Sequence, residues 1–321
     1  MVKPASQQQL PSQALVLPDT TSLIALSALA RRLPLKATKV RSQMSGAYNS
    51  PFKGRGMEFD ESRPYQPGDE VRNLDWRIMA RSGKAHTKLF REERERPVLI
   101  CVDDRMAMNF ATQGMFKRVM AARAASLLAW SAAAHGDRLG GVIFSEQAHQ
   151  EQRPGRGKKA VLQWIQRLVN HHQLTGSEKM EPDSAFRDAL ARLRRVAKPG
   201  SLIFLISDFR HMDQQSQRHL QHLSRHHDLV ALYIYDVIEQ SLPVAGIYPV
   251  CPADQEHLQR QLDTRDRKRR LEYAAQFEQR VDNMKLLCRR LHIHFIACAT
   301  DDDLLTQLQK GLGMKIGVGA A

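Results

Sequence analysis

Five short, nearly continuous apolar runs set the terms for any fold this chain can adopt. They are Val98-Leu99-Ile100-Cys101-Val102, Gly140-Gly141-Val142-Ile143-Phe144, Leu202-Ile203-Phe204-Leu205-Ile206, Leu229 to Tyr235, and His294-Phe295-Ile296-Ala297-Cys298. A strand with one face in water alternates apolar and polar residues, whereas an uninterrupted run marks a strand buried on both faces. Between the runs, helical patterns span about Gln113 to Ala134, Lys158 to His171, Asp183 to Val196, Asp213 to Arg225 and Thr264 to Leu291. A last helix, capped by Asp301, reaches about Lys310. Strands alternating with helices predict an α/β domain with a mostly parallel sheet covered on both faces. Residues 239–263 carry Pro243, Gly246, Pro249 and Pro252 and predict a hairpin or loop insertion. Ligands of such sheets sit at the carboxyl ends of the strands, which here carry Asp103, Asp208 and Asp236.

The residues at those strand ends exclude several chemistries. Asp103-Asp104-Arg105-Met106-Ala107-Met108 after the first run lacks the glycines a dinucleotide turn needs. No GxxxxGK[ST] occurs; Gly155-Arg156-Gly157-Lys158-Lys159 is a basic loop without the Ser or Thr, which argues against NTPase or dehydrogenase activity. Cys101, Cys251, Cys288 and Cys298 form no CxxC pair and fit reduced thiols in a cytoplasmic protein better than a zinc site. No run of about 18 apolar residues predicts a membrane-spanning helix, and Met1 to Gln13 lacks the layout of a signal peptide. The net charge of +14 is spread out: 17 basic against 10 acidic residues before Pro97, and 31 against 24 from there on. Such interleaving argues for a solubilising surface rather than a nucleic-acid-binding one. The thirteen histidines show no ligand spacing on one helix face in this reading.

Residues 50–90 are of another kind. Gly54, Gly56, Pro64, Pro67 and Gly68 forbid a long helix, charges of both signs alternate, and Phe52, Phe59, Tyr65 and Trp76 sit among them. Short alternating pieces at Met57-Glu58-Phe59 and His86 to Phe90 predict small strands. The spaced set Gly56-x-Glu58-Phe59, Arg63-x-Tyr65-x-Pro67-Gly68-Asp69, Arg72, Asp75-Trp76 and Ala80-Arg81 resembles the signature of the bacterial domain-of-unknown-function 58 family. In that family the signature runs into a von Willebrand factor A-like domain. The resemblance implies three parts: an N-terminal tail and helix over 1–49, a signature module over 50–96, and a von Willebrand factor A-like domain over 97–321 with its insertion at 239–263. It also implies a non-enzymatic adaptor working with a MoxR-type AAA+ ATPase in chaperone-like assembly or maturation of other proteins. Residues 1–20, rich in Gln, Ser and Pro, are expected to be loose, with Asp19 capping a helix from about Leu23 to Arg32.

The resemblance also implies a metal-ion-dependent adhesion site, with an Asp-x-Ser-x-Ser loop, a Thr and a second Asp holding Mg²⁺. Here the loop reads Asp103-x-Arg105-x-Ala107, the second Asp matches Asp208, and the Thr is Thr175. Magnesium needs near-octahedral oxygen donors, so losing both hydroxyls predicts a degenerate site with weak Mg²⁺ binding. Arg105 is expected to pair with Asp103 or Asp208 in place of the cation. Two alternatives from other classes are a metal-dependent phosphodiesterase or nuclease built on Asp103, Asp104, Asp208 and Asp236, and a nucleic-acid-binding protein. Within the signature, the expectation is an internal network: Arg63, Arg72 and Arg81 pairing with Glu58, Asp69 and Asp75 over a buried Trp76. The other reading is a partner-docking surface.

Overall fold

The computed structural model describes residues 12–33, 35, 57–92, 97–174, 181–250 and 260–313. The chain divides into two compact units, 1–42 with 96–321 and 43–95. The N-terminal helices thus belong to the larger unit, and the signature stretch is inserted into it rather than preceding it. These helices are α1 (Ser12–Val16), α2 (Thr20–Ala25) and α3 (Ser27–Ala30). Asp19 caps α2, accepting from the Ser22 N–H at 2.8 Å, as its position before the apolar run predicts.

In the smaller unit, β1 (Met57–Pro64) pairs antiparallel with β2 (His86–Glu92), with an irregularity between Phe59 and Glu61. Between them α4 (Trp76–Ser82) is capped at one end by Asp75 and closed at the other by Gly83, whose φ of 68° is the left-handed turn glycine tolerates best.

The larger unit resumes with β3 (Val98–Asp103), α5 (Lys117–Ala134), β4 (Arg138–Phe144), β5 (His149–Arg156), α6 (Gly157–Asn170) and α7 (Pro182–Val196). It continues with β6 (Leu202–Ser207), α8 (Gln214–His226), β7 (Asp228–Tyr235) and α9 (Val237–Gln240). The expected insertion is a hairpin of β8 (Ile247–Val250) and β9 (Arg260–Asp263), followed by α10 (Arg267–Arg290), β10 (His294–Ala299) and α11 (Leu304–Gly311). The main sheet runs β10-β7-β6-β3-β4-β5, parallel throughout except for the edge strand β5. Counting only its own strands, the order is 6-5-4-1-2-3. This is the von Willebrand factor A-like arrangement, doubly wound and reversing beside the first strand.

Alternation along β3 sends Val98, Ile100 and Val102 into one core and Leu99 and Cys101 into the other. α5, α6, α11 and the N-terminal helices cover the first face; α7, α8 and α10 cover the second. α5 is buried nearly all round because Leu23, Leu26, Ala30 and Leu33 lie against it, with Trp130 Nε1 donating to the Leu23 carbonyl at 3.2 Å. Gly141 admits α6: a side chain there would meet the Ile100 carbonyl and the Trp164 ring. Two expectations change. β5, with its sequence HQEQRPGR, is a strand that the apolar runs did not announce. Asp303, not Asp301, caps α11, accepting from the Thr306 N–H at 3.1 Å. Among the described residues no helix is long and apolar enough to cross a membrane.

Candidate functional site

The polar residues at the strand ends gather because β3, β6 and β7 are parallel neighbours whose chain direction brings their carboxyl ends together. Asp103 ends β3, Ser207 ends β6 with Asp208 directly after it, and Asp236 follows β7 as the cap of α9. All four are buried, and a buried carboxylate needs a partner. Each finds one within the chain.

Asp103 is engaged through both oxygens. Its Oδ1 accepts from the Arg105 N–H at 3.0 Å and Nε at 2.9 Å, and its Oδ2 accepts from an Arg105 Nη at 2.6 Å and from Ser207 Oγ at 2.6 Å. The Arg105 guanidinium lies 3.8 Å from Asp208 and donates to the Arg210 carbonyl at 3.2 Å. Its carbon sits 5.6 Å from the Phe144 ring centroid and 5.3 Å from that of Phe186, so aromatic faces add to its stabilisation. Burial opposes its charge, but Asp103 and then Asp208 outweigh that and push its pKa up. The expected pairing of Arg105 with Asp103 is therefore present.

A second internal cation was not foreseen. Lys117, at the start of α5 and fully buried, places Nζ 2.9 Å from Asp208 Oδ2 and 2.9 Å from Glu239 Oε1. Arg210 reaches the same Glu239 oxygen at 3.0 Å. Burial pushes the Asp208 carboxyl up, but Lys117 and Arg105 more than reverse this and hold it below the usual carboxylate value. The segment after β6 takes left-handed backbone at two positions, Phe209 at φ 49° and His211 at φ 59°. Left-handed conformations are costly for such residues; here Phe209 is buried and stacks on Tyr233 at 6.4 Å.

The remaining aspartates serve other partners. Asp104 pairs with Arg118 at 2.7 Å and His171 Nδ1 at 2.9 Å. Asp236 accepts from the Thr112 N–H at 2.8 Å and Thr300 Oγ1 at 2.7 Å, and forms a capping box with Glu239. Asp103 and Asp208 thus share Arg105, while Asp104 and Asp236 are held by other groups, so the four aspartates are not arranged around a shared pair of metal cations. Glu146 holds the loop after β3 through the Met106 N–H at 3.0 Å.

These residues do not fit a divalent cation. Both Asp103 oxygens are taken, Arg105 and Ala107 supply no side-chain oxygen, and an ammonium stands beside Asp208. Among the described residues no three His, Cys, Asp or Glu side chains converge as metal ligands would. Thr175 lies outside the described residues. Lys117, Ser207, Arg210 and Glu239 were missed by sequence reasoning. Only Glu239 carried a local signal, the D-x-x-E spacing of a capping box.

In the signature unit the network is smaller than expected. Arg63 pairs with Asp69 at 2.6 Å, and Asp69 also accepts from the Gln66 N–H at 2.9 Å and Thr87 Oγ1 at 3.4 Å, closing the turn. The Gln66 N–H, ahead of Arg63, holds its carboxyl below the ordinary value. Asp75 has no arginine partner among the described residues. It accepts from the N–H groups of Arg77 (3.1 Å) and Ile78 (3.2 Å) and from Ser62 Oγ (3.1 Å). Trp76 is 60% exposed, not buried, because the first turn of so short a helix leaves its side chain on the outer face. Tyr65, Arg72 and Arg81 are exposed too, and neither arginine has an acidic partner among the described residues. Glu58 lies on β1, and its side chain is outside the described part.

Residues 61–282 match the family model described as "Protein of unknown function DUF58". The chain belongs to the DUF58 family. Two relatives are the uncharacterized proteins Mb1516 of Mycobacterium bovis and Rv1480 of Mycobacterium tuberculosis, each 28% identical over 222 residues, covering 69% of this chain and 68% of theirs. Among solved structures, an aerotolerance-related membrane protein from Bacteroides fragilis is similar at 14% identity and a TM-score of 0.43, over 68% of this chain and 98% of that one. A von Willebrand factor type A protein from Catenulispora acidiphila aligns at 12% identity and a TM-score of 0.35, over 72% of this chain and 45% of its own. Scores at this level say nothing about activity.

Proposed function

We propose that this DUF58 protein is a non-enzymatic, cytoplasmic adaptor whose signature unit docks a partner, and that the partner is a MoxR-type AAA+ ATPase acting in assembly or maturation of other proteins. The ATPase enters through the family resemblance of the signature. The observation that carries a docking role is Trp76, exposed to 60% beside a set of exposed residues that includes Val71, Arg72, Arg77 and Arg81. Interfaces concentrate their binding energy in tryptophan, tyrosine and arginine, whereas a scaffold would bury the indole. The non-enzymatic part is supported by the strand-end aspartates, which are each held by cations, hydroxyls or N–H groups of the chain itself and leave no free general base.

The test is co-capture. Wild-type chain should retain a MoxR-type ATPase from native lysate, and Trp76→Ala should lose it while melting normally. Undiminished capture by Trp76→Ala together with Arg72→Ala and Arg81→Ala would contradict the docking role. Hydrolysis of a generic phosphodiester in the presence of Mg²⁺ or Mn²⁺, abolished by Asp103→Ala, would contradict the non-enzymatic reading.

A further inference from the structure

α7 and α8 lie side by side on one face of the main sheet, anchored by Phe186, Leu190 and Leu193 from one helix and Leu220 and Leu223 from the other. Above their seam is a cleft of about 580 Å³ lined by Asp188, Ala191, Arg192, Arg194, Arg195 and His222. We propose that this cleft is a binding site for a small phosphate-bearing ligand, gripped by Arg194 and Arg195.

Unbalanced charge is the first reason. Arg192 reaches Glu151 at 3.4 Å, and Asp188 lies 3.8 Å from Arg187. Arg194 and Arg195 have no acidic partner among the described residues, and α8 carries no Asp or Glu from Gln214 to His226. Arg194 is also oriented: its Nη donates to His219 Nδ1 at 2.8 Å, which requires that nitrogen to be unprotonated. A guanidinium held at one edge, with its other donors facing a cleft, is suited to a phosphate oxygen.

The histidines decide between an anion and a cation. His222 and His226 stand one turn apart with ring centroids 5.4 Å from each other, a ligand spacing on one helix face that the sequence reading did not find. A divalent metal there would face the surrounding arginines. Desolvation and then Arg194, His226 and Arg225 lower the pKa of His222; desolvation and then Arg194 lower that of His219. The local field opposes added positive charge, and an incoming anion relieves it. Ligand size is set by the borders. A nucleic-acid backbone needs a continuous basic track, whereas Asp188 and the Glu151 paired to Arg192 interrupt this one. The volume is in the range of small-molecule sites.

Calorimetric titration of the full chain at low salt tests the proposal, with inorganic pyrophosphate as one probe and free phosphoserine as the other. One saturable site is expected, weakened about tenfold or more by Arg194→Ala with Arg195→Ala. Both residues are exposed, so the variant should fold normally. Arg267→Ala with Arg269→Ala, in the exposed basic run of α10, should leave binding unchanged. Binding of pyrophosphate alone assigns the site to free phosphates; binding of both probes assigns it to phosphorylated side chains as well. Equal affinity in the Arg194/Arg195 variant, or no saturable heat with either probe, would overturn the proposal. So would a short DNA duplex that binds more tightly than pyrophosphate and is lost in the same variant.

Discussion

Asp103 and Asp75 are both buried aspartates two residues ahead of an arginine, and the molecule treats them in opposite ways. Asp103 takes the side chain of Arg105. Asp75 takes the backbone N–H of Arg77 and leaves that guanidinium in solvent. The difference lies in what covers each arginine. Arg105 lies between Phe144 and Phe186, and a guanidinium so enclosed needs a carboxylate. Among the described residues of the signature unit no second layer covers α4, so Arg77 and Arg81 remain hydrated and the carboxylate is free to cap the helix. One arrangement closes a site; the other presents a surface.

The sharpest way to break this contrast is Lys117→Ala. It leaves Asp208 and Glu239 buried without their ammonium and should cost about 3–5 kcal/mol in urea unfolding. A sign test accompanies it. In the wild type the folded Asp208 pKa lies below the ordinary aspartate value, so its contribution is fully present above that value and is lost as pH falls through the folded one. Without Lys117 the carboxyl is destabilised as an anion. The stability gap between variant and wild type should therefore shrink as pH is lowered toward and through the ordinary aspartate value. A gap that widens on acidification would refute the assignment of Lys117 as the counter-charge.

The next effect is smaller. Asp75→Ala removes the cap of α4 and the Ser62 contact and should lower the melting temperature by a few degrees. A loss in urea unfolding as large as that of Lys117→Ala would mean that the signature unit also depends on a buried charge network.

Trp76→Ala should have the least effect on stability, within about 0.5 kcal/mol of wild type, since the indole is mostly in water. A large melting loss would restore the buried-tryptophan expectation, and with it the scaffold reading.

The sheet was legible in the sequence because its strands are buried on both faces and leave uninterrupted apolar runs. β5 was not: it is an edge strand, largely solvent-facing and containing Pro154 and Gly155, so it carries polar residues where a central strand cannot. The pairing of Asp103 with Arg105 could be read because the two lie so close in the chain. Lys117 could not, because it lies 91 residues before Asp208 and its neighbours, Phe116-Lys117-Arg118, look like a solvated helix start. Trp76 was misplaced because aromatics among charges fit both a core and a contact surface, and only three-dimensional layering distinguishes them.

Asp103 and Asp208 hold cations belonging to the chain, where a related fold would hold a metal. Thermal unfolding of the wild-type protein in EDTA and in about 10 mM MgCl₂ tests it most directly, since a ligand that binds only the folded state raises the midpoint. The two midpoints should coincide, and only Arg105→Ser with Ala107→Ser should gain a Mg²⁺-dependent shift. A rise of several degrees in the wild type, abolished by Asp103→Ala, would mean that Asp103 holds a metal after all.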